Sequence, residues 1–497
     1  MKMSMIAKIS CGAAFALWAQ GASADATTAV VTNTGDNGNN AAPLAGSLRA
    51  AIKAANAATG PFTIRFNLGT GCPGIFTLPQ LLPDITGSVT IDGRTQSGWK
   101  ANAHFGKFDG NLCVFLNGAG KAWAFHVPPG APAGARLTVL GLGFAGFSDA
   151  AVKLEGGSGH LVQGSQFGAI PFTTANQNAV LVAGSSGGAM IGGYDNEAAV
   201  NLIAGSAAEG IRLGNAAGGS VVVNNVIGFQ ADGKGDGGNG AGVIVLNSKN
   251  NAILYNTIGN NGDGIALAGT GSSGNRLQYN LIGVDFTGNK APNGRSGVFA
   301  DIGAHDNAIG APMNGSANAG GNVIQASGMS GVWIYATAGA GNRVVGNAFG
   351  GNAGLDIDLG VDGPNANQPA GSASGANNKQ NYPVLATAVR DTDFGTLTVG
   401  GTLTGKPATT YRFDVYYGAQ CQTSTTGRGR DNQPVQRTTI KTGAAGTTTF
   451  TVILPTDLIE APAGGISATA TDPAGNTSEI GNCVPEVITG NFGQGLP

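Results

Sequence analysis

The residues best suited to chemistry lie between positions 299 and 358, where three aromatic side chains alternate with three aspartates. GVFAD (297–301), GVWIY (331–335) and GLDID (354–358) each open on glycine and then alternate apolar and variable residues. Aligned on that glycine, they predict a column of Phe299, Trp333 and Asp356, with Asp301, Tyr335 and Asp358 in the column beside it. Aromatic rings cover the apolar C–H faces of sugars, and carboxylates accept hydroxyl hydrogen bonds. Strand rise puts Asp356 and Asp358 ~6.6 Å apart, and two coil spacings put Asp301 and Asp358 ~9.6 Å apart. Both values lie near the ~6.5–9.5 Å of an inverting acid/base pair. The candidate catalytic residues are therefore Asp301, Asp356 and Asp358, with Phe299, Trp333 and Tyr335 as substrate-binding surfaces. Arg212, earlier in the first column, and His305, four residues after Asp301, are added at the rim. A competing reading gives Asp356, Asp358 and Asp362 to a calcium ion, a hard cation that prefers oxygen ligands. No other cofactor is expected.

These side chains become neighbours only if distant segments stack. Leading glycines recur in GIRLG (210–214), GVIVL (242–246) and GIALA (264–268) as well, at spacings near 22 residues or about ten more. A second strand type recurs as NAILYNTIG (251–259), NRLQYNLIG (275–283) and NRVVGNAFG (342–350). Period-two alternation buries one face, and a lone short strand has nothing to bury it against. Stacked coils close a continuous interior and pair every backbone group with the turns above and below. The expected fold is all-β, a right-handed parallel β-helix followed by a small β-sandwich. Asn251, Asn275 and Asn342 would form inward amide ladders at a corner. GSLRAAIKAAN (46–56) reads as a cap helix with Ser47 as N-cap and an apolar stripe of Leu48, Ala51, Ile52 and Ala55.

Composition agrees. The 497 residues include 86 glycines, only 11% are charged, and the formal net charge is −2. Glycine at this level suits many tight turns, and the scattered basic residues give no stripe for nucleic acid. Lys2 and Lys8, a short apolar run and Ala22-Ser23-Ala24 read as a secretory signal cleaved before Asp25, too short to remain as a membrane span. The remaining cysteines, Cys72, Cys113, Cys421 and Cys483, are even in number, as disulfides in an exported chain require. Proximity favours Cys72–Cys113 and Cys421–Cys483. The expected division is a signal (1–24), a cap region (25–88), the β-helix (89–362), a linker (363–381), a sandwich (382–487) and a tail (488–497). In TYRFDVYY (410–417), Tyr411, Phe413, Val415 and Tyr417 share one face of a half-buried strand.

Four stretches carry a resemblance: SLRAAIKAAN with TIRFN, the N-x-I-G coils with their glycine-rich insert, GLDIDLGVDGPNANQ running into NYPVL, and ATATDPAGNTSE (468–479). In these the chain resembles secreted bacterial β-helix proteins of the pectate-lyase-like superfamily. The resemblance implies a β-helix followed by an immunoglobulin-like sandwich, and it implies no single activity. The combined Asn-Thr-Asp, Asp-Asp, Gly-His-Gly and Arg-Ile-Lys motifs of polygalacturonases are absent from the sequence. Two function classes follow. One is a protein that binds and cleaves a polysaccharide, as a glycoside hydrolase or polysaccharide lyase does. The other is a non-catalytic adhesin or matrix-binding protein.

Overall fold

The computed structural model describes residues 27–490, apart from 70, 169–173, 313–318, 362, 371–373, 419–420, 422–430 and 457–462. The expected signal, Asp362 and most of the tail lie outside the described residues. No helix among those described is long and apolar enough to cross a membrane.

Three parallel sheets of 11, 10 and 9 strands run the length of a β-helix. Successive coils pair residue by residue. In the third sheet one outward ladder runs His126, Lys153, Leu181, Arg212, Ile244, Ala266, Phe299, Trp333 and Asp358. The residues just after these, from Val127 and Leu154 to Ile334 and Leu359, point inward and are buried. One alternating pattern thus fills the core and displays a line of side chains outside.

Asparagine ladders stabilise the corners. From Asn201 through Asn225, Asn256, Asn280 and Asn322 to Asn347, each side-chain amide donates to the Oδ1 of the next asparagine along at 2.9–3.0 Å, Asn347 being the last acceptor. Asn251, Asn275, Asn307 and Asn342 do the same at a second corner, and Asn239, Asn261 and Asn293 at a third. These amides satisfy polar backbone that the sharp bends leave out of the ladders.

The inserts leave from the corner after the second sheet, at Ile227-Gly228 and Ile282-Gly283. Gly228 and Gly283 hold φ of 86° and 78°, and a Cβ on either would drive into the carbonyl of Gly259 or Gln325. Only glycine fits both demands. Together with the 98–112 segment the inserts cover the second sheet, where Phe108, Leu112, Phe115, Phe229 and Ala291 form a satellite core. Phe299 and Trp333 on the third sheet stay half-exposed.

The N-terminal end is closed by the helix Leu48–Ala57. Ser47 caps it by accepting from the Ala50 N–H, and Leu48, Ala51, Ile52 and Ala55 join the solenoid core. Buried Arg49 anchors it, donating to both oxygens of Asp36 and to the carbonyls of Gln80 and Leu81. The first sheet already contains Thr27–Val31 and Phe62–Phe66, within the stretch expected to act as a cap. Disulfides join Cys72 to Cys113 and Cys421 to Cys483.

Beyond the last coil lie two four-stranded sheets. Tyr411, Phe413, Val415 and Tyr417 point into the core between them. The other face of the same strand is not exposed, contrary to its half-buried reading: Arg412, Asp414 and Tyr416 are buried. Tyr416 joins the solenoid core. Asn432 O, Asn476 Oδ1 and Thr477 Oγ1 accept the N–H groups of Phe349, Gly341 and Val344. The second small sheet therefore closes the open end of the β-helix.

Candidate functional site

Phe299, Trp333 and Tyr335 meet on the outward face of the third sheet, with ring centroids 5.4–5.9 Å apart. Phe299 and Trp333 pair across adjacent coils, and Tyr335 follows two residues after Trp333, just past the strand Val332–Ile334. The Trp333 indole N–H donates to the Gly360 carbonyl at 2.7 Å, which fixes the ring. Ile302 and Val361 extend the apolar surface and are 60% and 59% exposed. Ile302 has φ of 48°, a left-handed conformation costly for a β-branched residue. Coils above carry Ile244 and Ala266 in the ring column, so the aromatic surface is confined to the last turns.

Asp301 lies beside the rings. Its Oδ1 accepts from the Ile302 N–H and the Thr337 hydroxyl, and its Oδ2 has no hydrogen-bond partner among the described residues. The expected columns need correction. Trp333 pairs with Asp358, not Asp356. Gly354 sits in the turn, where its N–H meets the Met329 carbonyl, so the last coil is two residues longer than glycine alignment suggests. Glycine marks corners as well as strand starts, and the alignment took one for the other.

Asp356 is consequently no surface carboxylate. It is 2% exposed and accepts from Asn352 Nδ2 and Asn432 Nδ2, both at 2.9 Å, at the seam with the sandwich. Burial pushes its pKa up to about 6 despite those bonds. Asp358 is largely buried and accepts from the Ser330 hydroxyl at 2.9 Å. Asp301 and Asp358 sit diagonally, two coils and two residues apart, with backbones ~12 Å from each other. The three aspartates do not meet as an acid/base pair around an open space.

The calcium reading fares no better at Asp356, whose oxygens both face amide N–H donors. Asp362 is outside the described residues, and no group of three metal-ligating side chains occurs among those described. Arg212 lies three coils above Phe299 and pairs with Glu209 at 3.4 Å. His305 is at a corner, held by Asp306 at 2.7 Å and the Thr270 carbonyl at 3.2 Å. Neither joins the aromatic cluster.

A second group of chemical side chains sits at the other end of the same outward ladder. His126 Nδ1 is 2.8 Å from Asp84 and its Nε2 is 2.8 Å from Glu155. Lys153 bridges Glu155 and Asp149 and lies 5.1 Å from the centre of the Trp123 ring. Burial works against the Lys153 charge, but Asp149 and Glu155 together hold its pKa above the usual lysine value. In the sequence His126 stands in no metal-ligand spacing with the other histidines, His104, His160 and His305. Aligning FHV (125–127) with VKL (152–154) would have stacked the histidine on the lysine.

No family model matches the chain, and no curated protein matches it. Among solved structures, tailspike protein 2 of the Escherichia coli O157:H7 bacteriophage CAB120 aligns at 10% identity with a TM-score of 0.21. The alignment covers 87% of this chain and 65% of that one, so the chain spans less than two thirds of the tailspike's length. At that distance the likeness carries no functional argument. What the geometry itself establishes is a parallel β-helix closed at one end by a sandwich, with an open aromatic surface on its last coils.

Proposed function

We propose that this is an exported protein of the pectate-lyase-like β-helix group that binds a polysaccharide on the outward face of its third sheet. The observation that carries this reading is the half-exposed trio of Phe299, Trp333 and Tyr335 beside the open oxygen of Asp301. Rings at this spacing offer adjoining surfaces to successive sugar units, and Asp301 offers an acceptor for their hydroxyls. Two disulfides support export. Two facing four-stranded sheets support an immunoglobulin-like reading of the sandwich. Recognition has more support than cleavage, because Asp356 is enclosed and Asp358 is diagonal to Asp301. The non-catalytic class, an adhesin or matrix-binding protein, is therefore favoured over a hydrolase or lyase.

Affinity electrophoresis through gels containing neutral, amino-bearing and acidic polysaccharides tests the reading. At least one polymer should retard the protein. Trp333→Ala and Tyr335→Ala should each weaken that retardation roughly tenfold, about 1.4 kcal/mol, with circular dichroism unchanged. Equal mobility in every gel would remove glycan binding, and new reducing ends in any polymer would reinstate cleavage.

A further inference from the structure

The charges around the aromatic trio go further than its shape, because they select among glycans. Between Gly297 and Val361 the chain carries Asp301, Asp306, Asp356 and Asp358 against a single arginine, Arg343, with His305 as the other titratable base. Arg343 cannot balance the site. It lies on the first sheet, its Nε is buried without a partner, and it faces Arg412 of the sandwich. Arg295, just before the Phe299 strand, is tied to Asp263. Lys290 lies beside Gly351, on the side of the second sheet. Asp356 and Asp358 are buried and Asp306 is paired with His305 at the corner, so within this segment Asp301 is the charged side chain left beside the rings, and no lysine or arginine of the segment faces it.

From this we infer that the ligand of the aromatic site is a glycan without carboxylate or sulfate groups, with amino-sugar polymers preferred over neutral ones. The inference rests on the glycan-binding reading above and gives it a substrate class. Asp301 Oδ2 and the neighbouring Thr337 hydroxyl accept hydrogen bonds well, and the three rings attract a cation by their faces. A uronate would bring its own carboxylate against Asp301 with no guanidinium of the Gly297–Val361 segment to meet it, and like charges so placed are repelled.

Titration calorimetry of the full chain with hexamers of glucosamine, glucose and galacturonate tests this, with Trp333→Ala locating the binding. Expected is an order of glucosamine above glucose, with galacturonate too weak to measure. Raising salt from about 0.05 to about 0.5 M should weaken glucosamine severalfold and leave glucose unaffected. Asp301→Asn, which keeps the Oδ1 acceptor, should bring glucosamine down towards glucose, whereas Asp232→Asn on an insert should leave the order intact. Galacturonate binding as tightly as the other two, in a Trp333-dependent way, would overturn the substrate class and leave glycan binding standing. Failure of all three hexamers and of every gel polymer would instead remove the underlying reading.

Discussion

An enclosed carboxyl costs stability whenever it ionises, and Asp356 is enclosed by Asn352, Asn432 and the packing of the sandwich on the last coil. Its folded pKa is raised to about 6, above the ~3.9 of an exposed aspartate. The stability linked to this group is therefore full below about pH 4 and is lost as pH rises through about 6. Two units correspond to about 3 kcal/mol. Thermal melts from pH 4 to 8 should show Asp356→Asn gaining on the wild type as pH rises, and parallel curves would refute the assignment. The sequence displays this aspartate as one of three similar residues in GLDID. What separates it from Asp358 is Asn432, 76 residues away, which no local pattern reveals. The aromatic members of the site were legible because rings at outward positions of a repeat stand out against alanine and isoleucine.

Strand existence was legible from period-two alternation, and corner asparagines from their recurrence, because each coil repeats the same local solution. Asn280 shows what the ladder does. It accepts from the Asn256 N–H and side-chain amide, and donates to Asn322 and to the Ile253 carbonyl. Asn280→Ala should cost about 2–3 kcal/mol by leaving buried backbone groups unmet, read as a lower urea midpoint. A loss under about 0.5 kcal/mol would mean that water replaces the amide. Register was legible only to within a corner. Turns absorb one or two extra residues without disturbing the strands, so the last coil slipped by two and moved Asp358 beneath Trp333.

A parallel solenoid exposes core and unpaired backbone at both ends, and here each end has its own closure. The amphipathic helix at Leu48–Ala57 declares itself by its apolar stripe. The sandwich does not declare itself as a cap, because Arg412, Asp414 and Tyr416 look like a solvent face. Arg412 and Arg437 in fact grip Asp414 at 2.9 and 2.6 Å, and Tyr416 completes the solenoid core. Tyr416→Ala should leave a cavity costing about 3–5 kcal/mol and should raise hydrogen exchange in the last coils as well as in the sandwich. Faster exchange in the sandwich alone would show that the two parts are independent.

Composition, alternation and repeat spacing by themselves determined the class of fold, the capped N-terminal end and the aromatic character of the last coils' outward face, because these depend on neighbours a few residues away or one coil away. Tertiary structure alone decided which aspartates face solvent, which sheet the inserts cover and what seals the far end. Those outcomes depend on contacts between segments distant in the chain, from the 76 residues that separate Asp356 and Asn432 to the 135 between Gly341 and Asn476, and burial of that kind leaves no periodic trace in the chain.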